Sequence, residues 1–396
     1  MAPHLLLAYN FPPMAGGISR WMEELARRYP QGTLVVSTGP DPDVAAAAAV
    51  DGTFPNRVDR LAMPRERLRT IPGLIAWSRR TRALAAEVGA SFMWCGNVKP
   101  PAYAARYAAT RLGVPYGVIL HGTDLLQLRR NVRTWKGVYK RRTARSLLGS
   151  AAVLVTNSAW TRALALDILE EIGCDRARLD VRTVLLGADI AQFRPGLDTA
   201  AVRAKYGLDG GTWMVTVARL IAHKGQDVTL RALAALAGEA PELRYAIVGS
   251  GSYRDTLHAL AAELGIAHRV RFLENVPDAD LPALYNAAAM YVGPSRNVDV
   301  HIEGFGISFV EASACGIPVI AGRSGGVPEA VTDGVTGLLV DAESPAAVAS
   351  AVRRLLRDPE LARRLGAGGR NAAETYYNWD RVTRDIRAIG EEHARR

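Results

Sequence analysis

What most constrains this chain is a rhythm: a short apolar run, a turn, a helix-like segment, then the next apolar run. "HLLLAY" (4–9) gives way to a glycine turn and "SRWMEELARRY". "GTLVVST" (32–38), "YGVILHG" (116–122) and "AAVLVTNS" (151–158) follow, the last leading into "AWTRALALDILEEIG". After a loop-like stretch, "LLGADIAQFRPG" (185–196), the rhythm restarts with "TWMVTVARL" (212–220), "LRYAIVGSGS" (243–252), "VRFLENV" (270–276), "MYVGPS" (290–295) and "IPVIAGRSGG" (317–326). Strands separated by helices pair in parallel, because only a crossover long enough to hold a helix returns the chain to the same edge. The expected fold class is therefore α/β, with two doubly wound Rossmann-like domains facing across a cleft. Residues 1–190 and 191–375 form the two halves, and 376–396 an amphipathic C-terminal helix that returns to the first. Ligands of such sheets bind outside the carboxyl ends of the strands, so a site should be collected from the turns that follow them.

Composition narrows the partners. The 396 residues exceed one ordinary domain, and a chain 49% hydrophobic but only 7% aromatic must build its cores from Ala, Val, Leu and Ile. The formal charge of +10 calls for anionic partners: nucleic acid, an acidic membrane surface or phosphorylated small molecules. No recognised nucleic-acid module accompanies the charge. Cys95, Cys174 and Cys315 are scattered, which suggests neither a disulfide framework nor a zinc site and points to a reducing cytoplasm. The first apolar run is brief, lacks a basic lead and breaks at Pro12 and Pro13, so it reads as a strand rather than a signal peptide. No uncharged apolar run reaches the roughly 18 residues of a membrane span. The expected location is the cytoplasm, with peripheral attachment to the inner membrane face as an option.

The turns carry the chemistry. In "PMAGGIS" (13–19), Gly16 and Gly17 allow close backbone approach at a helix start, where unpaired N–H groups attract an anion; the same pair also serves as plain turn punctuation. "ARLIAHKGQD" (218–227) sets Arg219 and Lys224 five apart across an apolar turn, where a two-pronged guanidinium and a point charge can grip a diphosphate, or simply sit in solvent. "VGSGS" (248–252) lacks the full G-x-G-x-x-G spacing, so it does not indicate a dinucleotide site; Gly249 is expected among the donor-binding turns, and closer helix–strand packing explains it equally well. "HIEGFGISFVEASACG" (301–316) places Glu303 in a glycine loop and Glu311 in the helix beyond it. On one helix their side chains would stand roughly 80° apart, so the two acids address different parts of a ligand. Backbone N–H groups of Gly304, Phe305 and Gly306 can form a nest for oxygens, Glu303 can accept from hydroxyls and Glu311 from a ribose. Diphosphate, sugar and ribose together describe a nucleotide-sugar. A helix start that favours acids for its dipole explains one glutamate well and the second less well.

Taken in order, "FPPMAGG", "HGTD", "ARLIAHKG", "VGSGS", "LPALYNAA", "EGFGISFVE" and "SGGVPE" resemble the retaining family 4 glycosyltransferases of the GT-B fold, over nearly the whole chain. Glu303 and Glu311 match that family's E-x7-E signature, and within the family the second half is most similar to mannosyltransferases acting on phosphatidylinositol mannosides and related polysaccharide-assembly enzymes. The resemblance implies an acceptor-binding first half and a donor-binding second half. It also implies that Arg219 and Lys224 neutralise the leaving diphosphate, near Gly16 and Gly17. Glu303 and the Gly304–Gly306 amides would hold the transferred sugar, Glu311 the ribose, and His121 would lie beside the reacting carbon. Glu274 to Val276 would face the base, and Gly325 and Gly326 would line the donor pocket. Thr123 and Asp124 differ from the pair that the lipid mannosyltransferases carry after His-Gly, which leaves the acceptor open.

No carboxylate pair such as D-x-D follows a strand in a way that suggests a metal-bound diphosphate, so the reaction is expected to be metal-independent and to use no cofactor; by resemblance it draws on GDP-mannose or a UDP-hexose as donor. Attack occurs on the face the leaving group departs, and the acceptor proton passes to the departing phosphate. His121 is then a positioning group or a buried structural histidine, not a base. The basic segment "LRRNVRTWKGVYKRRTARS" (128–146) is expected to spread Arg130, Arg133, Lys136, Lys140 and Arg141 over one side of a helix, with Trp135 and Tyr139 interleaved. Beside a merely solvated face, it offers an acceptor region that meets a lipid phosphate or an anionic membrane. The expected partners are a nucleotide-sugar and a lipid-linked or glycan acceptor, with no nucleic acid. A nucleotide-sugar epimerase and a catalytically silent sugar-nucleotide sensor are the competing readings.

Overall fold

A computed structural model describes residues 2–14, 16–39, 41, 43–63, 65–129 and 133–394. The chain divides into two compact units, Met1–Val184 with Trp379–Arg396, and Leu185–Asn378. In the first, β1 (His4–Ala8), β2 (Leu34–Thr38), β3 (Arg57–Arg60), β4 (Phe92–Cys95), β5 (Tyr116–Leu120), β6 (Val153–Thr156) and β7 (Val181–Thr183) form one sheet in the order β3-β2-β1-β4-β5-β6-β7. In the second, β8 (Thr212–Val217), β9 (Leu243–Val248), β10 (Val270–Leu273), β11 (Met290–Gly293), β12 (Val319–Gly322) and β13 (Gly337–Val340) run in the order β10-β9-β8-β11-β12-β13. Every pairing in both sheets is parallel.

The central strands β1, β4, β5 and β6 are buried along their whole length, because helices cover both faces of each sheet. Four strands fall outside the apolar runs singled out from sequence. β3 ("RVDR") and β7 ("VRT") are edge strands with half-wet faces, so they carry charge, while β4 ("FMWC") and β13 ("GLLV") are only four residues long.

Strand order reverses once in each sheet, between β1 and β4 and between β8 and β11. At those two places the flanking turns lead to helices on opposite faces, which opens a crevice at the carboxyl edge.

The borders expected at 190/191 and 375/376 lie instead at 184/185 and 378/379. The reason is local packing. Ala188 N–H donates to the Tyr377 carbonyl at 3.0 Å, and a Cβ on Gly187 would stand 2.5 Å from the Asn378 backbone, so the linker is already part of the second unit. The terminal helix Trp379–Ala394 belongs to the first unit. There Gly390 brings it against His4 and Trp94, where any Cβ would stand 2.6 Å from the imidazole.

Candidate active site

In the second unit the crevice is built from the turns that leave β8, β9, β11 and β12. The exit of β8 lies directly on the exit of β9: Ala218 N–H donates to Val248 O (3.0 Å), Leu220 N–H to Ser250 O (2.9 Å) and Tyr253 N–H to Leu220 O (2.9 Å). Gly249 makes this approach possible. Its φ is +135°, and a Cβ there would stand 2.1 Å from the Ala218 carbonyl oxygen. The glycines of "VGSGS" thus serve turn-on-turn packing next to Arg219. Arg219 is exposed and, among the described residues, its guanidinium has no ion-pair partner.

Lys224 ends the short 3-10 turn Ala222–Lys224, and its ammonium pairs with the Glu303 carboxylate arriving from the β11 exit. The pair straddles the switch point, with the two side chains only 16% and 15% exposed. Glu303 is also held through its backbone. Its carbonyl accepts from Gly326 N–H at 3.0 Å, and Gly325 lies so close that a Cβ would stand 2.3 Å from the same oxygen. The segment 294–303 is further tied to the 222–227 turn. Arg296 grips the Asp227 carboxylate with both terminal nitrogens (3.0 and 2.9 Å), and its N–H donates to the His223 carbonyl (2.8 Å). His223 stacks on His301 with ring centroids 5.7 Å apart. Burial and the neighbouring Lys224 push the His223 imidazole down to about 4, so it is neutral.

Gly304, Phe305 and Gly306 bridge from Glu303 to the helix Ile307–Ala314. Among the described residues their backbone N–H groups donate no hydrogen bond, so three donors stand open at the helix start. The Phe305 side chain itself is buried and faces Tyr377. Glu311 lies in the second turn, buried, and accepts from the Tyr285 hydroxyl at 3.0 Å. Burial together with that carboxylate holds the Tyr285 phenol protonated, its pKa raised far above the ordinary tyrosine range. At the β10 exit Glu274 pairs with Arg254, Asn275 adopts a left-handed backbone (φ +54°), and Val276 follows.

The first unit gathers a second set. Gly16 caps the helix Gly17–Arg28 after β1, with φ +127° and open space where a side chain would be. His121 closes β5. Its Nε2 meets the Gly96 carbonyl at 2.7 Å, its N–H donates to Asp124 Oδ1 at 3.3 Å, and its ring stands edge-on to Trp21. Burial lowers the His121 pKa against the pull of Asp124, and burial raises that of Asp124. Asp124 Oδ2, Asn97 Oδ1 and Trp21 Nε1 are buried with no hydrogen-bond partner among the described residues.

The basic segment departs from expectation. Its helix runs Trp135–Leu148, capped by Thr134, so Arg133 precedes it; Arg130 lies outside the described residues. Arg141 is turned to the Glu171 carbonyl, which leaves Lys136 and Lys140, one turn apart, as the exposed cations of the expected set on the helix. Sequence reading missed Asp227, Arg296, Asn97 and Lys99. The last two follow the four-residue strand β4, and the abrupt "GNVK" after "FMWC" is the signal that marks them. Lys99 is partly buried, and that burial, with Lys140 nearby, lowers its pKa. Among the described residues no group of three or more His, Cys, Asp or Glu side chains is arranged to hold a metal.

Comparison with known proteins gives a consistent result. A family model described as "Glycosyl transferases group 1" matches residues 198–372, and one described as "Glycosyltransferase Family 4" matches residues 15–181. The GDP-mannose-dependent alpha-(1-6)-phosphatidylinositol monomannoside mannosyltransferase of Mycolicibacterium smegmatis is 34% identical over 95% of this chain and 94% of its own. Its Mycobacterium tuberculosis counterpart is 31% identical over 96% of both chains. Among solved structures, Anabaena Alr3699/HepE in complex with UDP and glucose superposes with a TM-score of 0.77 at 21% identity, covering 98% of this chain and 99% of that one.

Proposed function

The chain belongs to glycosyltransferase family 4, and we propose that it transfers mannose from GDP-mannose, with retained anomeric configuration, to a lipid-linked, glycan or small glycoside acceptor. One observation carries the assignment: Lys224 and Glu303 meet across the switch point of the second sheet, beside three open N–H groups and the exposed Arg219.

In this reading Arg219 and Lys224 stabilise the charge that collects on the diphosphate as the anomeric C–O bond breaks. Fixed charges and dipoles aimed at developing charge are usually the largest catalytic contribution, about 3–4 kcal/mol for a single donor. Glu303 and the amides of Gly304, Phe305 and Gly306 hold the sugar hydroxyls, and Glu311 holds the ribose. The turn Glu274–Val276 meets the base. The acceptor oxygen bonds to the anomeric carbon on the face the phosphate leaves, and its proton moves to the departing phosphate oxygen. No carboxylate is needed as a base. His121, neutral and anchored to the Gly96 carbonyl, positions the sugar, and Asp124 receives an acceptor hydroxyl.

The experiment is product analysis with GDP-mannose and UDP-hexoses, with and without glycolipid and glycoside acceptors, in buffer and in chelator. GDP released in step with an acceptor-bound α-mannoside, unchanged by chelator, is the expected result. Free mannose or an epimer formed without acceptor would assign the epimerase reading. Binding without any turnover would make the protein a sensor.

A further inference from the structure

We propose that the first unit carries an anion site of its own, a cavity at the amino edge of its sheet that takes the phosphate group of a small hydroxylated molecule. The site is separate from the crevice at the carboxyl edge, and its chemistry does not depend on the reaction above.

The cavity has a volume of about 300 Å³ and is lined by Arg28, Pro30, Asp380, Thr383, Arg384 and Arg387. Arg28 ends the 12-residue helix that Gly16 caps, so about 18 Å of helix separates the cavity from that turn. Pro30 precedes β2, and the other four residues lie in the first half of the terminal helix Trp379–Ala394. Two helices thus close on one space, which three guanidinium groups line against one carboxylate. Planar forks of this kind match the oxygens of a phosphate.

Two of the arginines are held from outside the cavity. Arg28 pairs with Glu24 one turn back on its own helix, and Arg387 pairs with Glu391 one turn on, at 3.1 Å. Neither glutamate lines the space, so both serve to fix the guanidinium groups beside it. Arg384 stands 3.8 Å from Asp385, too far for a hydrogen bond. The one acid in the lining, Asp380, meets Arg28 at 3.0 Å but is 76% exposed. An exposed pair holds weakly, so a phosphate can take the place of the Asp380 carboxylate. Thr383 is buried, and its hydroxyl has no hydrogen-bond partner among the described residues. A phosphate oxygen supplies the missing partner.

The surroundings name the rest of the ligand. A neighbouring cavity of about 270 Å³ shares Pro30 and Arg387 and adds Ala2, Thr33 and Glu391 to the lining. Ala2 and Thr33 stand just before β1 and β2, so both cavities open at the edge opposite the candidate active site. Thr33 and Glu391 suit hydroxyls, and the two spaces together exceed what a bare phosphate fills.

The test is calorimetry on the full chain with saturating GDP, which fills the donor crevice, at constant ionic strength set with chloride. Glycerol 3-phosphate should bind at a single site, and more tightly than inorganic phosphate. Arg384→Gln and Arg387→Gln should each weaken it about tenfold or more. Thr383→Val should weaken it about fivefold. Asp380→Asn should tighten it about 2- to 5-fold, because the competing carboxylate is gone. A cluster that merely ties the two helices together predicts no such gain. Circular dichroism should show every variant folded, and Arg219→Gln should leave the phosphate affinity unchanged. Absence of heat with both phosphates, or no tightening in Asp380→Asn, would overturn the proposal. So would loss of binding in Arg219→Gln with the Arg384 and Arg387 variants at parental affinity, which would assign the phosphate to the donor crevice. Equal affinity for the two probes would overturn the hydroxylated body of the ligand.

Discussion

At the scale of single residues, the Lys224–Glu303 pair has a structural role and, in the proposed mechanism, a catalytic one, and substitution can separate the two. Each partner is largely out of solvent, so removing one leaves the other as an uncompensated charge, whereas neutralising both costs much less. Lys224→Ala is therefore expected to lower stability by about 2 kcal/mol and turnover by about 100-fold or more. Adding Glu303→Gln should restore most of the stability and none of the turnover, because the diphosphate still lacks its cation. Urea unfolding and steady-state rates on the single and double variants check this; recovery of turnover in the double variant would make the pair purely structural. Gly249→Ala tests the layer beneath. A methyl group there must displace the Ala218 carbonyl while holding φ at +135°, so a loss of about 2–3 kcal/mol is expected, together with weaker nucleotide binding as Arg219 moves. Gly16→Ala has the same backbone strain but meets no neighbouring atom, so its stability cost should be the smaller of the two.

At the scale of elements, the segment 294–303 works as a strap. The Arg296–Asp227 fork and the His223–His301 stack fix it to the turn that carries Lys224, the Val298–His301 bridge folds it on itself, and together they set where Glu303 lies. Asp227→Asn keeps the shape and removes the charge of the fork. Its expected effect is a fall in kcat larger than the change in KM for the donor, with Arg296→Lys milder than Arg296→Gln; equal activity in all three would remove the strap from the mechanism. This element was invisible in the sequence. Arg296 and Asp227 stand far apart along the chain with no shared period, and the stack joins two histidines whose neighbourhoods give no hint of each other. The positions of Arg219, Lys224, Glu303 and Glu311 at the crevice were legible because each lies in a turn directly after an apolar run or in the helix beyond it, where α/β sheets collect ligands. The two-sheet plan was legible for the same reason: fully buried parallel strands leave uninterrupted apolar runs. Edge strands β3 and β7 were not, since a half-wet strand of three or four charged and apolar residues has no period to read. The basic helix was misjudged at its start, where the Thr134 cap, rather than the charge run, decides the boundary.

At the scale of the whole molecule, each unit holds histidines kept neutral by burial, His4 and His121 in the first and His223 in the second, and this makes stability depend on pH in a direction that can be worked out. His4 is pushed from 6.5 down to about 4 by burial under the terminal helix, with Tyr29 bonded to its ring at 3.2 Å, Glu391 pulling its pKa up and Arg387 pulling it down. His223 is pushed to about 4 by burial, Lys224, Arg219 and His301, against Glu303. Below 6.5 the unfolded chain takes up a proton at each position that the folded chain refuses. Unfolding therefore becomes easier as the pH falls through the window from 6.5 to about 4, and stability is recovered on raising it. From pH 7 to pH 5, where most carboxylates remain ionised, His4 and His223 should each cost about 2 kcal/mol. Urea midpoints measured across that range should fall for the parent protein, and His4→Leu should reduce the first unit's share, to which His121 also contributes, even if its stability at pH 7 is lower. Saturating GDP should lift the second unit's curve, since a ligand that binds only the folded form adds its binding free energy to unfolding. A midpoint that holds level from pH 7 to pH 5 would mean that these imidazoles reach water in the folded protein. The terminal helix would then not seal His4, and the turn carrying Lys224 would be looser than its packing against Pro294 and Glu303 requires.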